Sequence, residues 1–314
     1  MHAMRQAFLL FISAVPAILF LATRTLLVRA EDPTSCPDPP DKPASTMAAP
    51  RTAVILGATG AVGKELVHHL GQRVQWQRVL VLNRREVDYS RAGNGKVEQH
   101  VVKMEEGALE ASAHQLLRDA KVDAVFITMG VGAASKASAE TLEHVDVLMP
   151  TAFARGAKAA GVRHVGLLTA VGADAASDPG TGLARFVPFL PETSGGGKLY
   201  NKLKGRVEAN VGALGFASAT AFRPAALIGT PHTPWFIATA SPLLDRVVPA
   251  LYASSNINSV AAAMVFDAET RLDAHGAADG DADRAALNVV EGERLQAMYA
   301  AVPFEHGVVG GRGN

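Results

Sequence analysis

Cysteine is almost absent, with Cys36 alone in 314 residues. One thiol closes no disulfide within the chain and builds no cysteine metal site, so a disulfide framework and thiol or zinc-thiolate catalysis are excluded. A surplus of charge is also missing. Lys plus Arg and Asp plus Glu number 30 each, and no basic patch interleaved with aromatics is visible, so nucleic acid is not an expected partner. Long apolar runs are scarce. The longest, AFLLFISAVPAILFLA, has sixteen residues, short for a membrane span.

That run follows Arg5 and has the layout of a secretory signal, with a candidate cleavage point at Ala30 and an unfavourable Arg29 beside it. A membrane anchor is the competing reading. Translation starting at Met47, which opens MAAPRTAVILGATG, is the third. The chain is then expected in the cytoplasm from Met47, or in the secretory pathway or at a membrane through residues 7–22. Membrane contact depends on that leader. The stretch EDPTSCPDPPDKPAST is too polar and proline-rich to fold and reads as a linker. Residues 1–46 are thus leader and linker, 52–302 a folded domain and 303–314 a tail.

From Thr52, β-branched runs alternate with segments of helical period. AVIL (53–56), RVLVLN (78–83), EQHVV (98–102), AVFITM (124–129), HVGLL (164–168) and ASATAF (217–222) read as strands. KELVHHLG, GALEASAHQLLRDA, AETLEHVDVLMPTAFARGAKAAG and KLKGRVEANVGALG read as the helices between them. Parallel strands need crossovers and the crossovers are helices, which predicts an α/β, doubly wound parallel sheet, a Rossmann fold.

After the first strand comes GATGAVGK, residues 57–64. Gly57 allows a tight turn, Gly60 lets a pyrophosphate approach the main chain, and Gly63 lets the helix lie on the sheet. The helix N-terminus adds unpaired N–H groups and a favourable dipole. Gly57, Thr59, Gly60, Ala61, Val62 and Gly63 are therefore the expected dinucleotide-binding set. The second strand ends Asn83-Arg84-Arg85, with no acid to receive the ribose hydroxyls of NAD. Arg84 and Arg85 instead suit the extra phosphate of NADP through guanidinium forks. NAD stays open through Glu86, with the arginines solvated.

In LYNKLKGRVEANV (199–211), Tyr200 and Lys204 are spaced i to i+4 and share a helix face. Tyrosine ordinarily titrates at about 10, and a nearby ammonium favours its phenolate, so the pair suits proton exchange with an alcohol or carbonyl. Lys204 would also reach the nicotinamide ribose. Ordinary packing on a helix surface is the alternative.

GATGAVG, LLTAVGAD, YNKLKGRVE and AFRPAALIG, in that order, resemble the atypical short-chain dehydrogenase/reductases, most closely the Tat-interacting oxidoreductase-like branch. The resemblance runs from about residue 52 to about 266, with a continuation in ALNVVEGERLQAM. It implies an NADP-binding Rossmann domain, with Tyr200 and Lys204 as catalytic tyrosine and lysine and Pro224 near the nicotinamide. Departures are present. Thr169-Ala170 stands where that branch has two serines, so Thr169 alone supplies a hydroxyl to orient a substrate. Lys103 stands where an acid usually meets the adenine. The segment between Asp174 and Lys198 is long, and its Phe186, Val187, Phe189 and Leu190 suit either a lid or a loose surface loop. Trp235, Phe236, Leu243 and Leu244 suit either a small C-terminal substrate-covering region or core. The histidines, among them His68, His69, His144, His164 and His232, lack metal-ligand spacing.

The expected function is an NADP-dependent oxidoreductase acting on a small-molecule carbonyl or alcohol. A regulator that senses NADP and acts through a protein partner is the second reading. A sugar-nucleotide epimerase is less favoured, because the segment after the sixth strand is short for a nucleotide-sugar subdomain.

Overall fold

The computed structural model describes residues 49–132, 137–177, 198–230, 248–276 and 286–302. Its first strand, β1 (Arg51–Leu56), is buried along its whole length. Ala53 and Ile55 enter one core while Val54 and Leu56 enter another. A strand apolar on both faces must lie inside a sheet covered on both sides.

The chain continues through α1 (Ala61–Gln72), β2 (Trp76–Asn83), β3 (Val97–Val101), α2 (Glu106–Asp119) and β4 (Ala124–Ile127). Then come α3 (Ala139–Glu143), α4 (Met149–Ala159), β5 (His164–Leu168), α5 (Lys198–Ala213) and β6 (Ser218–Arg223). The last part holds the short β7 (Leu227–Ile228) and β8 (Ser255–Asn256), α6 (Ile257–Gly276), β9 (Asn288–Glu291) and α7 (Gly292–Ala301). Seven strands form one sheet in the order β3-β2-β1-β4-β5-β6-β9, every neighbour parallel. On one face Ile55, Trp76, Phe126 and Phe222 pack with Leu66 of α1 and Met264 of α6. On the other, Val54, Leu80 and Ile127 pack with Leu109 of α2, Phe153 of α4 and Val207 of α5.

Two elements differ from the sequence reading. The segment expected as one helix over 139–161 is continuous but irregular: α3 runs into α4 through a π-helical turn, His144–Leu148. The turn contains Asp146, which is 1% exposed. Helix α6 escapes a periodicity argument altogether, because Val260 to Val265 are buried without a break and leave no polar stripe to alternate with. The candidate lid over 178–197, most of the proposed covering region (231–247), the leader and the tail lie outside the described residues. Among the described residues no helix is long and apolar enough to cross a membrane.

At the amino end of the sheet, Trp76 Nε1 and Arg73 Nη1 each donate to the Glu269 carboxylate at 2.8 Å. Burial pushes the Glu269 pKa up, against the opposing pull of Arg73, Trp76, Arg51 and Gln75. A folded pKa above the unfolded one contributes stability that is complete below the ordinary carboxylate value and lost as pH rises through the folded value. Wild-type stability relative to Glu269→Gln should therefore fall as pH rises above about 4.5. Denaturant melts of the two proteins across that range check this, and a flat difference would refute it.

Candidate functional site

Strand register decides which residues meet. Leu56 pairs with Leu82 and with Ile127, Ile127 with Leu167, and Leu168 with Phe222. The carboxyl ends of β1, β2, β4, β5 and β6 therefore form one row, and Gly57, Arg84, Thr128, Thr169 and Pro224 follow directly from it. The strand order reverses between β1 and β4, and the crevice beside such a reversal is where open α/β sheets bind ligands.

The glycine turn has mostly internal reasons for its bareness. Gly57 has a φ of 99°, and a Cβ there would stand 2.6 Å from Met129 N. At Gly63 a Cβ would stand 2.1 Å from the Gly57 carbonyl oxygen, so the helix could not seat on the turn. Gly60 is different. Its φ is an ordinary −70°, and its Cβ would come only 3.2 Å from Gly57 O, which a small adjustment relieves. The polypeptide asks little of Gly60, which leaves close approach of a ligand as the stronger demand. Gly60 caps α1 without a side-chain acceptor, and the N–H groups of Ala61, Val62 and Gly63 precede the first intrahelical donor, Lys64 N. Thr59 is exposed at the turn, whereas the Val62 side chain belongs to the core.

At the end of β2, Asn83 is buried and donates to Gln99 Oε1 (2.9 Å) and the Tyr89 hydroxyl (3.1 Å), holding the outgoing loop in place. Arg84, Arg85 and Glu86 are exposed, and no ion pair joins either arginine to a carboxylate among the described residues. Lys103 is likewise on the surface, 3.5 Å from Glu105.

Tyr200 and Lys204 lie on α5 as their spacing predicts. The Lys204 ammonium stands 5.3 Å from the centre of the half-buried Tyr200 ring. It also stands 2.7 Å from Asp146 Oδ1, and its side chain is 5% exposed. Burial disfavours the ammonium, but the Tyr200 and Asp146 oxygens outweigh that, and the net pKa is raised. Lys204 is charged throughout the physiological range.

One helical turn on, Glu208 is buried and takes three donors. Thr169 Oγ1 donates to Glu208 Oε1 at 2.6 Å, and Arg223 reaches the two oxygens through Nε at 2.9 Å and Nη2 at 2.5 Å. Arg223 also donates to Glu291 Oε2 of β9, at 3.2 Å. The Thr169 proton is thus engaged. Its lone pairs remain, so Thr169 can accept a hydrogen bond from a ligand hydroxyl but is poorly placed to donate one to a carbonyl. Buried Pro224 accepts from Val171 N at 3.0 Å, which ties the loops after β5 and β6 together.

Sequence reasoning found the tyrosine and lysine but not Asp146 or Glu208. Glu208 was legible as the next i+4 step after Lys204. Asp146 was not, because the π turn that aims it has no signature in residue periodicity.

Fold and glycine turn together define a protein with a Rossmann-type, doubly wound α/β fold. Residues 53–194 match the model of the NAD dependent epimerase/dehydratase family. The chain is 29% identical over 181 residues to Protein FMP52, mitochondrial, of Eremothecium gossypii, covering 58% of this chain and 68% of that protein. It is 31% identical over 182 residues to Protein HTATIP2 of Rattus norvegicus, covering 57% of this chain and 63% of that protein. These matches bear out the resemblance to the atypical branch. Among solved structures, an oxidoreductase of the short-chain dehydrogenase/reductase family from Burkholderia thailandensis superposes with a TM-score of 0.52 at 19% identity, over 79% of this chain and 94% of that one. MoeE5 in complex with UDP-glucose and NAD superposes with a TM-score of 0.51 at 16% identity, over 80% and 81%. At such identities the superpositions speak for the fold.

Proposed function

We propose that this protein is an NADP-dependent oxidoreductase that transfers hydride between the cofactor and a small carbonyl or alcohol substrate. The observation that supports the reading is the pair of Tyr200 and a buried, charged Lys204, whose ammonium lies beside Gly130 in the loop after β4. The N–H groups of Ala61, Val62 and Gly63 would receive the pyrophosphate. Arg84 and Arg85 would receive the ribose phosphate, and Lys204 the nicotinamide ribose. When bound, the cofactor supplies the hydride. Tyr200 is the group that gives its hydroxyl proton to the carbonyl oxygen, or takes one from the alcohol, with Lys204 as the charge beside it.

A second reading has one observation in its favour. With its proton on Glu208, Thr169 does not serve a carbonyl as a donor, which suits a cofactor-sensing regulator acting through a protein partner. Substrate-dependent oxidation of NADPH by the purified protein, across a panel of small aldehydes, ketones and quinones, separates the two. Turnover supports the enzyme; cofactor binding without turnover supports the regulator.

Cofactor choice has its own test. Replacing Arg84 and Arg85 together by alanine should weaken NADP binding by about 1.5–3 kcal/mol, on the scale of hydrogen bonds to charged groups, while NAD binding barely changes. Calorimetric titration with both cofactors reads the difference, and an equal loss for both sinks the phosphate assignment.

A further inference from the structure

We infer that Asp146 is a positioning residue for the cofactor site: it holds the Lys204 ammonium at the point where the π turn, α5 and the loop after β4 meet. The inference rests on the reading above that Lys204 contacts the cofactor. Three independent features of the structure converge on this carboxylate. The π turn His144–Leu148 adds one residue to its helical turn and brings Asp146 inward, where it is 1% exposed. Its two oxygens are divided, Oδ1 standing 2.7 Å from Lys204 Nζ and Oδ2 accepting from Val131 N at 3.1 Å. The carboxylate thereby joins the lysine to the loop after β4, whose main chain at Met129 leaves no room for a Cβ at Gly57. Gly130 supplies the clearance. A Cβ there would stand 2.9 Å from Asp146 Oδ1 and 3.5 Å from Lys204 Nζ. Leu142, Val147 and Leu203, with Val131 and Leu199 against them, form a small core around the cluster and keep it dry.

The chemistry explains why an aspartate is needed. A lysine stem has four rotatable bonds, and a buried ammonium without a counter-charge is costly. The Asp146 charge, 2.7 Å away, holds Nζ beside the Tyr200 ring. The same carboxylate makes the loop after β4 sense whether Lys204 is in place. Asp146 touches neither substrate nor reacting atoms, and acts through Lys204.

A double-mutant cycle on NADPH binding to the full chain, read by cofactor fluorescence, tests this. Asp146→Asn should weaken binding about tenfold or more in the wild-type background and should have no further effect once Lys204→Met has removed the ammonium. Equal losses in both backgrounds, or no loss in either, overturn the inference, because a carboxylate that only braces the fold does not depend on Lys204. If Asp146→Asn is too unstable to assay, thermal melts decide. The Asp146→Asn/Lys204→Met protein should melt above Asp146→Asn, since it no longer strands a charge. A double variant that is no better folded overturns the inference as well. A wild-type protein that binds neither NADPH nor NADH overturns the functional reading first, whereas binding with additive losses overturns only the role of Asp146.

Discussion

Replacing Tyr200 by phenylalanine is expected to lower turnover on a carbonyl substrate by about a hundredfold or more, the usual contribution of a positioned general acid, with NADPH affinity nearly unchanged. The substitution removes one oxygen. The ring it leaves still faces the Lys204 ammonium, 5.3 Å away, so cation and aromatic face stay together and the helix has no reason to shift. What is lost is the proton that the substrate oxygen needs as hydride arrives. Lys204→Ala should behave otherwise and damage binding and turnover together, because it strands Asp146 as well as vacating the ribose contact. Steady-state kinetics and cofactor titration of the two variants give the comparison. Unchanged turnover in Tyr200→Phe would remove the tyrosine from the mechanism. If instead the panel yields no substrate, and Tyr200→Phe abolishes an NADP-dependent protein interaction, the regulator reading takes over.

The second large effect is on stability. Glu208→Ala should destabilise the fold by about 3 kcal/mol or more, the scale for breaking a buried ion pair by deleting one partner. Its carboxylate satisfies Thr169 and the Nε–Nη2 edge of the Arg223 guanidinium, and its side chain is 6% exposed. Deletion leaves Arg223, 19% exposed, with only the more accessible Glu291. For a domain of this size that corresponds to a fall in melting temperature of about 6–12 °C. Calorimetric melts report it directly, and a loss below about 1 kcal/mol, the range of an exposed pair, would mean that the network is solvated in solution. Glu208→Gln should fall between the two, since it keeps an acceptor for Thr169 but not the charge.

The sheet was readable because each strand is a short β-branched run between longer amphipathic segments, and that alternation admits few topologies. The glycine turn and the Tyr200/Lys204 pair were readable for a related reason: their meaning lies in spacing along one local element. Asp146 and Glu291 belong to another category. Asp146 meets Lys204 across 58 residues of chain through an irregular helical turn, and Glu291 meets Arg223 only because β9 docks beside β6. No local pattern encodes either encounter. Helix α6 failed for the opposite reason, since the unbroken buried stretch Val260 to Val265 in its first half shows no polar face to reveal its period.

The position of β9 also bears on how the protein is made. Strands β1 to β6 reach the ribosome exit well before residue 291, and domains begin to fold as they emerge. Until β9 arrives, β6 is a sheet edge with unpaired amides, and Arg223 has half of its acid partners. A nascent chain stalled before β9 should therefore hold the glycine turn and the tyrosine helix on an open-edged sheet, exposed to chaperones and to pairing with another chain. Parallel closure over so long a sequence separation is slow, so the last strand to be synthesised governs when the open edge is retired.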